Sequence, residues 1–179
     1  MEKNTIVVNL FAGPGAGKST GAAYIFSKLK MAGVDAEYVT EFAKDKVWEN
    51  NKDSLRKCQF YITGKQAWRM ARCAGKVDII VTDSPILLSA MYASDNPELV
   101  PGIIYEYNKY RNINYFIDRV KAYNPNGRNQ TLEEAKEIDK NLKDFLAMNC
   151  VVYNEVPGNE EGYDSVVHDL LEMLGMGSK

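Results

Sequence analysis

Residues 5–20 read TIVVNLFAGPGAGKST, an apolar β-branched run followed by a glycine-rich turn with Lys18 near its end. The run at 5–11 is typical of a buried parallel strand. After the turn, apolar residues recur at helical spacing from Ala22 to Leu29. A glycine-rich turn between a strand and a helix presents backbone N–H groups and the positive end of the helix dipole to an anion. The stretch therefore predicts a phosphate-binding loop between the first strand and the first helix.

The loop supplies the candidate nucleotide ligands, which are Gly13, Pro14, Gly15, Ala16, Gly17, Lys18, Ser19 and Thr20. Lys18 can reach the β- and γ-phosphates, and the Ser19 hydroxyl can ligate Mg²⁺. The usual pattern G-x-x-x-x-G-K-[ST] begins with glycine, and Ala12 stands in that place. A methyl group is tolerated there if φ is negative. The alternative is a glycine turn that binds nothing.

The composition is that of an ordinary globular protein. The chain has 179 residues, 45% hydrophobic and 26% charged, which suits a single domain with one core. A net charge of −2 provides no global basic field for nucleic acid or an anionic membrane. No apolar run approaches the length of a membrane span, and no leader is expected. Three cysteines without metal or disulfide spacing predict reduced thiols in a cytoplasmic protein.

One segment, residues 44–76, is locally basic. It carries Lys44, Lys46, Lys52, Arg56, Lys57, Lys65, Arg69, Arg72 and Lys76 against few acids. Such charges usually solvate the outer faces of helices, and the alternative is a groove for a polyanion.

Strand and helix patterns alternate along the chain. The predicted strands cover residues 5–11, 36–40, 77–82, 113–117 and 150–153. A long helical stretch runs from about Ser54 to Ala74, and a capping box opens another helix at residues 131–134. The alternation predicts an α/β fold, a three-layer sandwich around a five-stranded parallel sheet.

Carboxylates follow the second and third predicted strands, at the sheet edge where ligands bind in such folds. Asp83 closes an apolar strand and is a candidate Mg²⁺ ligand and catalytic residue. Glu41 is a candidate base for a proton from an attacking hydroxyl, an effect worth about 10²–10⁴-fold. The alternative for each acid is a helix N-cap or a solvated loop position.

The helix at 54–74 has two faces that bear on function. A seam of small apolar residues is expected to pack on the core: Phe60, Gly64, Ala67, Ala71 and Ala74. The adjacent stripe consists of Gln59, Ile62, Gln66, Arg69 and Cys73. Glutamine amides suit recognition of a planar heterocycle, so Gln66 and Arg69 are candidate substrate ligands. A solvated polar stripe is the alternative.

A loop rich in Pro, Asn and Gly follows the fourth predicted strand, with Arg119 and Arg128 flanking it. Arginine side chains stabilise charge on a transferring phosphoryl group, and a closing lid excludes water. The pair is therefore predicted to be catalytic, on a lid at about residues 119–130. Surface solvation is the alternative for each arginine.

Taken in chain order, several motifs resemble a known family. They are AGPGAGKST at 12–20, TEFAKD at 40–45, Gln66, TDSP at 82–85, the lid between Arg119 and Arg128, and VPG at 156–158. Together they resemble the small P-loop kinases, specifically the group that is related to the ribosylnicotinamide kinase domain and encoded in many tailed-phage genomes.

The resemblance implies a sheet of strand order 2-3-1-4-5, ATP and Mg²⁺ as cofactors, and transfer of the γ-phosphate to a hydroxyl. It implies a single P-loop kinase domain over residues 1–179, acting in the host cytoplasm if phage-encoded. Glu41 is implied as base or acceptor-binding acid, Asp83 as serving metal or acceptor, and the loop after strand five as bordering adenine. The Ser84-Pro85 pair departs from the Asp-Arg of thymidylate-type kinases, which weighs against a nucleoside monophosphate acceptor.

These patterns leave several functions open. The first is a kinase for a small nucleoside- or nucleotide-like acceptor, with a variant that phosphorylates a hydroxymethylated base within phage DNA. Only the basic segment 44–76 supports that variant. The second is an ATP-dependent switch acting on a partner, for which no sensor segment or extra helical domain is recognised. The third is a nucleotide-binding structural protein, against which Lys18 and the two strand-end acids argue.

Overall fold

A computed structural model of the protein describes residues 3–50, 57–93, 96–124 and 131–177. The strands are β1 (Ile6–Phe11), β2 (Ala36–Val39), β3 (Ile79–Thr82), β4 (Arg111–Asp118) and β5 (Asn154–Pro157). The helices are α1 (Lys18–Met31), α2 (Phe42–Trp48), α3 (Gln59–Ala71), α4 (Leu88–Met91), α5 (Leu99–Tyr107), α6 (Leu132–Met148) and α7 (Glu160–Met173).

The strands form one five-stranded parallel sheet of order β2-β3-β1-β4-β5. Ile79 of β3 is the register partner of both Ile6 in β1 and Ala36 in β2, and Ile117 of β4 pairs with Val156 in β5. Helices connect the parallel strands, because a parallel pair needs a long crossover. The predicted fold class and strand order are confirmed.

The chain divides into two compact units, residues 1–9 with 36–113 and residues 10–35 with 114–179. The first unit is built on a buried cluster of Val7, Val39, Met70, Cys73, Val77 and Ile80. In the second unit, the buried side chains include Ile25 and Leu29 of α1, Phe116 of β4, and Val166 and Leu170 of α7. Complete burial of such a side chain is worth about 1.5–3 kcal/mol.

Helix α3 buries a different face from the predicted one. Phe60, expected in the core, is 69% exposed, and a Cβ built at Gly64 would meet open space. The buried face instead contains Ile62, Thr63, Gln66 and Met70. Of the predicted seam, Ala74 packs against the buried cluster. The rest of the prediction is wrong, because isoleucine and methionine remove more apolar area from water than glycine and alanine do. The helix begins at Gln59, and residues 54–56 of the prediction lie outside the described residues.

The fifth strand begins four residues later than predicted, at Asn154. Cys150 has a φ of 54°, and its N–H donates to the carbonyl oxygen of Ala147 at 3.1 Å, so it closes helix α6. The next residues lead back to the sheet, and Val152 is 84% exposed. The apolar run at 150–153 therefore belongs to the end of helix α6 and the loop after it. Periodicity alone does not distinguish such a short apolar run from a strand.

The predicted capping box at the start of α6 is confirmed. The Glu134 N–H donates to Thr131 Oγ1 at 3.2 Å, and the Thr131 N–H donates to Glu134 Oε2 at 2.6 Å. Cys58, Cys73 and Cys150 are free thiols, of which only Cys73 is buried. Within the described residues, no helix combines the length and apolar character that crossing a membrane requires.

Candidate active site

The phosphate loop joins β1 to α1 and belongs to the second unit. Gly15 has a φ of 79°, and Gly17, which caps α1, has a φ of 114°. These conformations favour glycine because a Cβ is strained there. A Cβ on Gly17 would also lie 2.4 Å from the Tyr163 hydroxyl. Ala12, by contrast, has a negative φ, so its methyl group is tolerated in the place where the usual pattern has glycine.

Lys18 is the first residue of α1, and its ammonium lies over the loop. Its Nζ donates to the carbonyl oxygens of Ala12 at 2.7 Å and Gly13 at 3.1 Å. The N–H groups of a helix N-terminus and this ammonium concentrate positive charge at one place. Such a concentration of positive charge is suited to an anion such as a polyphosphate, and contact of Lys18 with the β- and γ-phosphates stays a prediction.

Asp139 of α6 ties the phosphate loop to the residue that follows β4. One carboxylate oxygen accepts the N–H of Gly13, and the other accepts Arg119 Nη2 at 2.8 Å. Arg119 Nη1 donates in turn to the carbonyl oxygen of Pro14 at 2.6 Å. The Arg119 side chain is only 9% exposed. Arg119 is therefore packed against the phosphate loop, and its action on a phosphoryl group stays a prediction.

The Nε–H of Arg119 is buried and has no hydrogen-bond partner among the described residues. A buried donor left without an acceptor costs about 1–3 kcal/mol. The oxygen of a bound anion can supply such an acceptor, so this donor is compatible with a phosphate ligand near the loop. Arg128 and residues 125–130 of the predicted lid lie outside the described residues.

Sequence reasoning missed Asp139. The residue lies four positions after Ala135 and three before Leu142, both of which are buried on one face of α6. An acid at helical spacing with core residues is unusual because an unpaired buried charge is costly. That spacing was the available signal, although it does not reveal which cation or N–H the acid would meet.

We expect Asp139→Ala to lower the free energy of unfolding by about 3 kcal/mol, because the buried Arg119 charge loses its partner. The Gly13 N–H loses its acceptor in the same variant. Urea denaturation measures the effect, and Asp144→Ala, an exposed acid on the same helix, is the matched control. Equal unfolding midpoints for the two variants would contradict a structural role for the Asp139 contacts.

Two further residues of the second unit contact the phosphate loop. The Tyr163 hydroxyl donates to the Gly17 carbonyl oxygen at 3.0 Å, and burial raises the pKa of this phenol, which keeps the donor protonated. A Cβ on Gly158 would lie 2.4 Å from the Ala16 carbonyl oxygen, so the loop after β5 requires glycine at this close approach. That this loop borders adenine stays a prediction.

In the first unit, Asp83 follows β3 and is 3% exposed. Its Oδ1 has no hydrogen-bond partner among the described residues. The capping alternative is wrong, because the next helix, α4, has its N-cap at Leu87. A buried carboxylate oxygen without a partner fits a ligand for Mg²⁺. The described residues contain no cluster of three or more His, Cys, Asp or Glu side chains for a metal, so further ligands would come from hydroxyl, phosphate or water oxygens.

Glu41 occupies the N-cap position of α2, but its side chain makes no capping hydrogen bond. The backbone on both sides of it is held by α3. Gln66 Oε1 accepts the Phe42 N–H at 3.0 Å, and Gln66 Nε2 donates to the Thr40 carbonyl oxygen at 3.4 Å. Arg69 Nη1 donates to the same carbonyl oxygen at 3.1 Å. Both predicted substrate ligands on α3 thus position the segment that carries Glu41, and their contact with a substrate stays a prediction.

A cavity of about 280 Å³ opens in the first unit. Its lining includes the rings of Phe60 and Tyr92 and the amides of Gln59 and Asn96. Partial desolvation and then the negative charge of Glu41 raise the pKa of Tyr92. Tyr92 was not among the predicted site residues, because nothing in its local pattern marks it.

A family model described as an AAA domain matches residues 7–162. No curated protein sequence shows significant similarity to the chain.

Solved structures resemble the fold at low sequence identity. The NadR protein in complex with NR superposes with a TM-score of 0.71 at 16% identity, covering 98% of this chain and 53% of that one. This chain thus spans about half the length of that protein. Thymidylate kinase from Ehrlichia chaffeensis gives 0.56 at 12%, covering 97% and 100%. Deoxyadenosine kinase from M. mycoides gives 0.51 at 17%, covering 94% and 98%. These likenesses show a fold of the P-loop kinase type.

Proposed function

The chain belongs to the AAA-domain family, and on that premise we propose that it is a P-loop kinase. It transfers the γ-phosphate of ATP to a hydroxyl group of a small nucleoside- or nucleotide-like acceptor. The observation that carries the proposal is the phosphate loop, where the Lys18 ammonium and two positive-φ glycines stand at the start of α1. A phosphoryl-transfer enzyme works chiefly by positioning and by neutralising charge, which such a loop provides.

The acceptor class is supported by the first unit. Two aromatic residues and two amide residues line its cavity, and such groups recognise planar heterocycles. Thymidylate kinase and deoxyadenosine kinase, which share the fold, are named for acceptors of this class. We further propose that residues 1–179 are one kinase domain of the phage-encoded group, acting in the cytoplasm, with a lid at about residues 119–130.

The phosphate-binding, catalytic and metal-binding candidates each have a role in this proposal. Lys18 and the loop N–H groups bind the phosphates, and Glu41 takes the proton from the acceptor hydroxyl. Asp83 and Ser19 would hold Mg²⁺, which when bound neutralises charge on the phosphates. Arg119, together with Arg128, would stabilise charge on the transferring group.

Label transfer from γ-labelled ATP tests the proposal. The acceptor panel contains nucleosides, nucleotides, nicotinamide riboside and oligonucleotides with hydroxymethylated bases. Transfer to a small acceptor supports the proposal, and transfer only to the oligonucleotides identifies the DNA-base variant instead. ATP hydrolysis that no acceptor changes would favour a switch, and ATP binding without turnover would favour a structural protein.

We expect Asp83→Asn to raise the Mg²⁺ concentration for half-maximal activity by about 10–100-fold, since a carboxylate near the metal is neutralised. A Mg²⁺ titration of label transfer measures this. Asp78→Asn is the matched control, because Asp78 precedes β3 at its other end and pairs with Lys3. An unchanged Mg²⁺ requirement in Asp83→Asn would remove Asp83 from the metal site.

A further inference from the structure

Aromatic and basic side chains alternate along one exposed face of α3 and its C-cap residue, Arg72. Tyr61, Lys65, Trp68 and Arg72 follow one another at steps of four, three and four residues, which places them on one helical face. Trp68 is 60% exposed and Tyr61 is 39% exposed. We call these four residues the α3 stripe. It lies apart from the buried face that holds Gln66 and Met70.

Each ring of the stripe has a cation beside it. Lys65 Nζ lies 5.8 Å from the centroid of the Tyr61 ring and 6.0 Å from that of Trp68. The Arg72 guanidinium lies 5.7 Å from the Trp68 centroid. Trp68 therefore has two cations beside its ring, and Tyr61 has one.

The stripe also lacks neutralising acids. From Lys57 to Val77 the chain contains basic residues but no Asp or Glu. Two other cations of the basic segment are paired, Lys46 with Glu49 and Arg69 with Asp45. Within the described part of the chain, Lys65 and Arg72 have no acidic partner. Since the protein as a whole carries a net charge of −2, the stripe is a local positive patch that complements a polyanion.

We propose that the α3 stripe binds single-stranded nucleic acid. Bases stack on Trp68 and Tyr61, and phosphates pair with Lys65 and Arg72, the combination by which proteins bind unpaired strands without strong sequence preference. A duplex is a poor occupant because its base faces are already stacked and out of reach of a side-chain ring. An acidic peptide satisfies the cations but supplies no regular series of planar faces for the rings.

The first test is fluorescence anisotropy of a labelled twelve-nucleotide oligo(dT) with the full chain at low salt. Trp68→Ala is expected to weaken binding by about 5–150-fold through the loss of one stacked base. The double variant Lys65→Ala, Arg72→Ala is expected to reduce the slope of log K against log salt by about 1.4, at about 0.7 per phosphate contact. Trp68→Tyr should retain most of the binding, because a ring remains.

The matched control is Tyr105→Ala. Tyr105 is also exposed, at 68%, and Lys109 Nζ lies 4.9 Å from its ring centroid. Lys109, however, is paired with Glu106, so this pair is not expected to bind the strand. Lys18→Ala should also bind the oligonucleotide normally, which separates the stripe from the proposed ATP site. Far-UV circular dichroism establishes that each variant is folded.

The second test reads stacking directly. Trp48→Phe leaves Trp68 as the single tryptophan of the chain, and oligo(dT) is expected to quench its fluorescence whereas inorganic polyphosphate is not. The proposal is overturned if Trp68→Ala binds oligo(dT) as the unaltered chain does, or if polyphosphate competes as well as the oligonucleotide. It is equally overturned if duplex DNA or an acidic peptide binds the stripe more tightly than the single strand.

Discussion

Lys18→Ala abolishes label transfer from ATP, with an expected loss of at least about 10³-fold. The ammonium is held at the phosphate loop by the carbonyl oxygens of Ala12 and Gly13, where it would neutralise charge on the β- and γ-phosphates. Removing it takes away the positive charge that Lys18 would place beside these phosphates. Release of ADP, followed at saturating ATP in the presence of an acceptor, measures the loss.

Lys30→Ala is the control for this experiment. Lys30 lies on the same helix, is exposed, and stands in its last turn, so the variant changes net charge equally without touching the loop. Its activity should match that of the unaltered chain. Retention of more than a tenth of the activity by Lys18→Ala would contradict the assignment of the loop as the phosphate site, whichever acceptor the enzyme uses.

Glu41→Gln stops phosphoryl transfer while ATP binding is retained. The expected loss in rate is about 10²–10⁴-fold, the usual contribution of a positioned base. Glutamine preserves the shape of the side chain but cannot accept the proton of the acceptor hydroxyl. The backbone at this position should remain in place, because Gln66 holds Thr40 and Phe42 on either side. Single-turnover transfer and equilibrium binding of labelled ATP measure the two properties separately.

Glu37→Gln provides the matched comparison, because Glu37 is an exposed acid on β2, the strand that precedes Glu41. It should retain full transfer. Strong transfer by Glu41→Gln would remove the base assignment. Parallel loss of ATP binding would instead indicate that Glu41 acts on the nucleotide or on the local structure rather than on the acceptor.

Local patterns predicted the fold well where neighbours along the chain carry the signal. The β-branched run before the loop, the apolar helix face after it and the capping box at residues 131–134 were all found as expected. Local patterns gave wrong predictions where the same sequence pattern is consistent with two different structures. The apolar run at 150–153 lies at the end of a helix and not in a strand. On α3, the face that contains Ile62 and Met70 is buried in place of the predicted small-residue face.

The site was predicted unevenly for the same reason. Loop residues such as Lys18 follow from a continuous motif. Asp83 was predicted from its position at the end of a strand. That its Oδ1 is buried without a partner among the described residues depends on three-dimensional packing, which the sequence does not show. Gln66 was marked by its amide, but its partners proved to be the backbone beside Glu41. Asp139 carried a weak signal of its own and was missed.

The phosphate loop is encoded locally, because glycine conformations, the helix start and the position of Lys18 depend on residues adjacent in the chain. The parallel sheet follows similarly from the alternation of strands and helices. The contacts that surround the loop, by contrast, come from residues distant in the sequence. Asp139 reaches Gly13 across 126 positions, and Arg119 reaches Pro14 across 105. Such contacts exist only once the core has packed, because hydrophobic burial sets the distance between elements without regard to their separation in sequence.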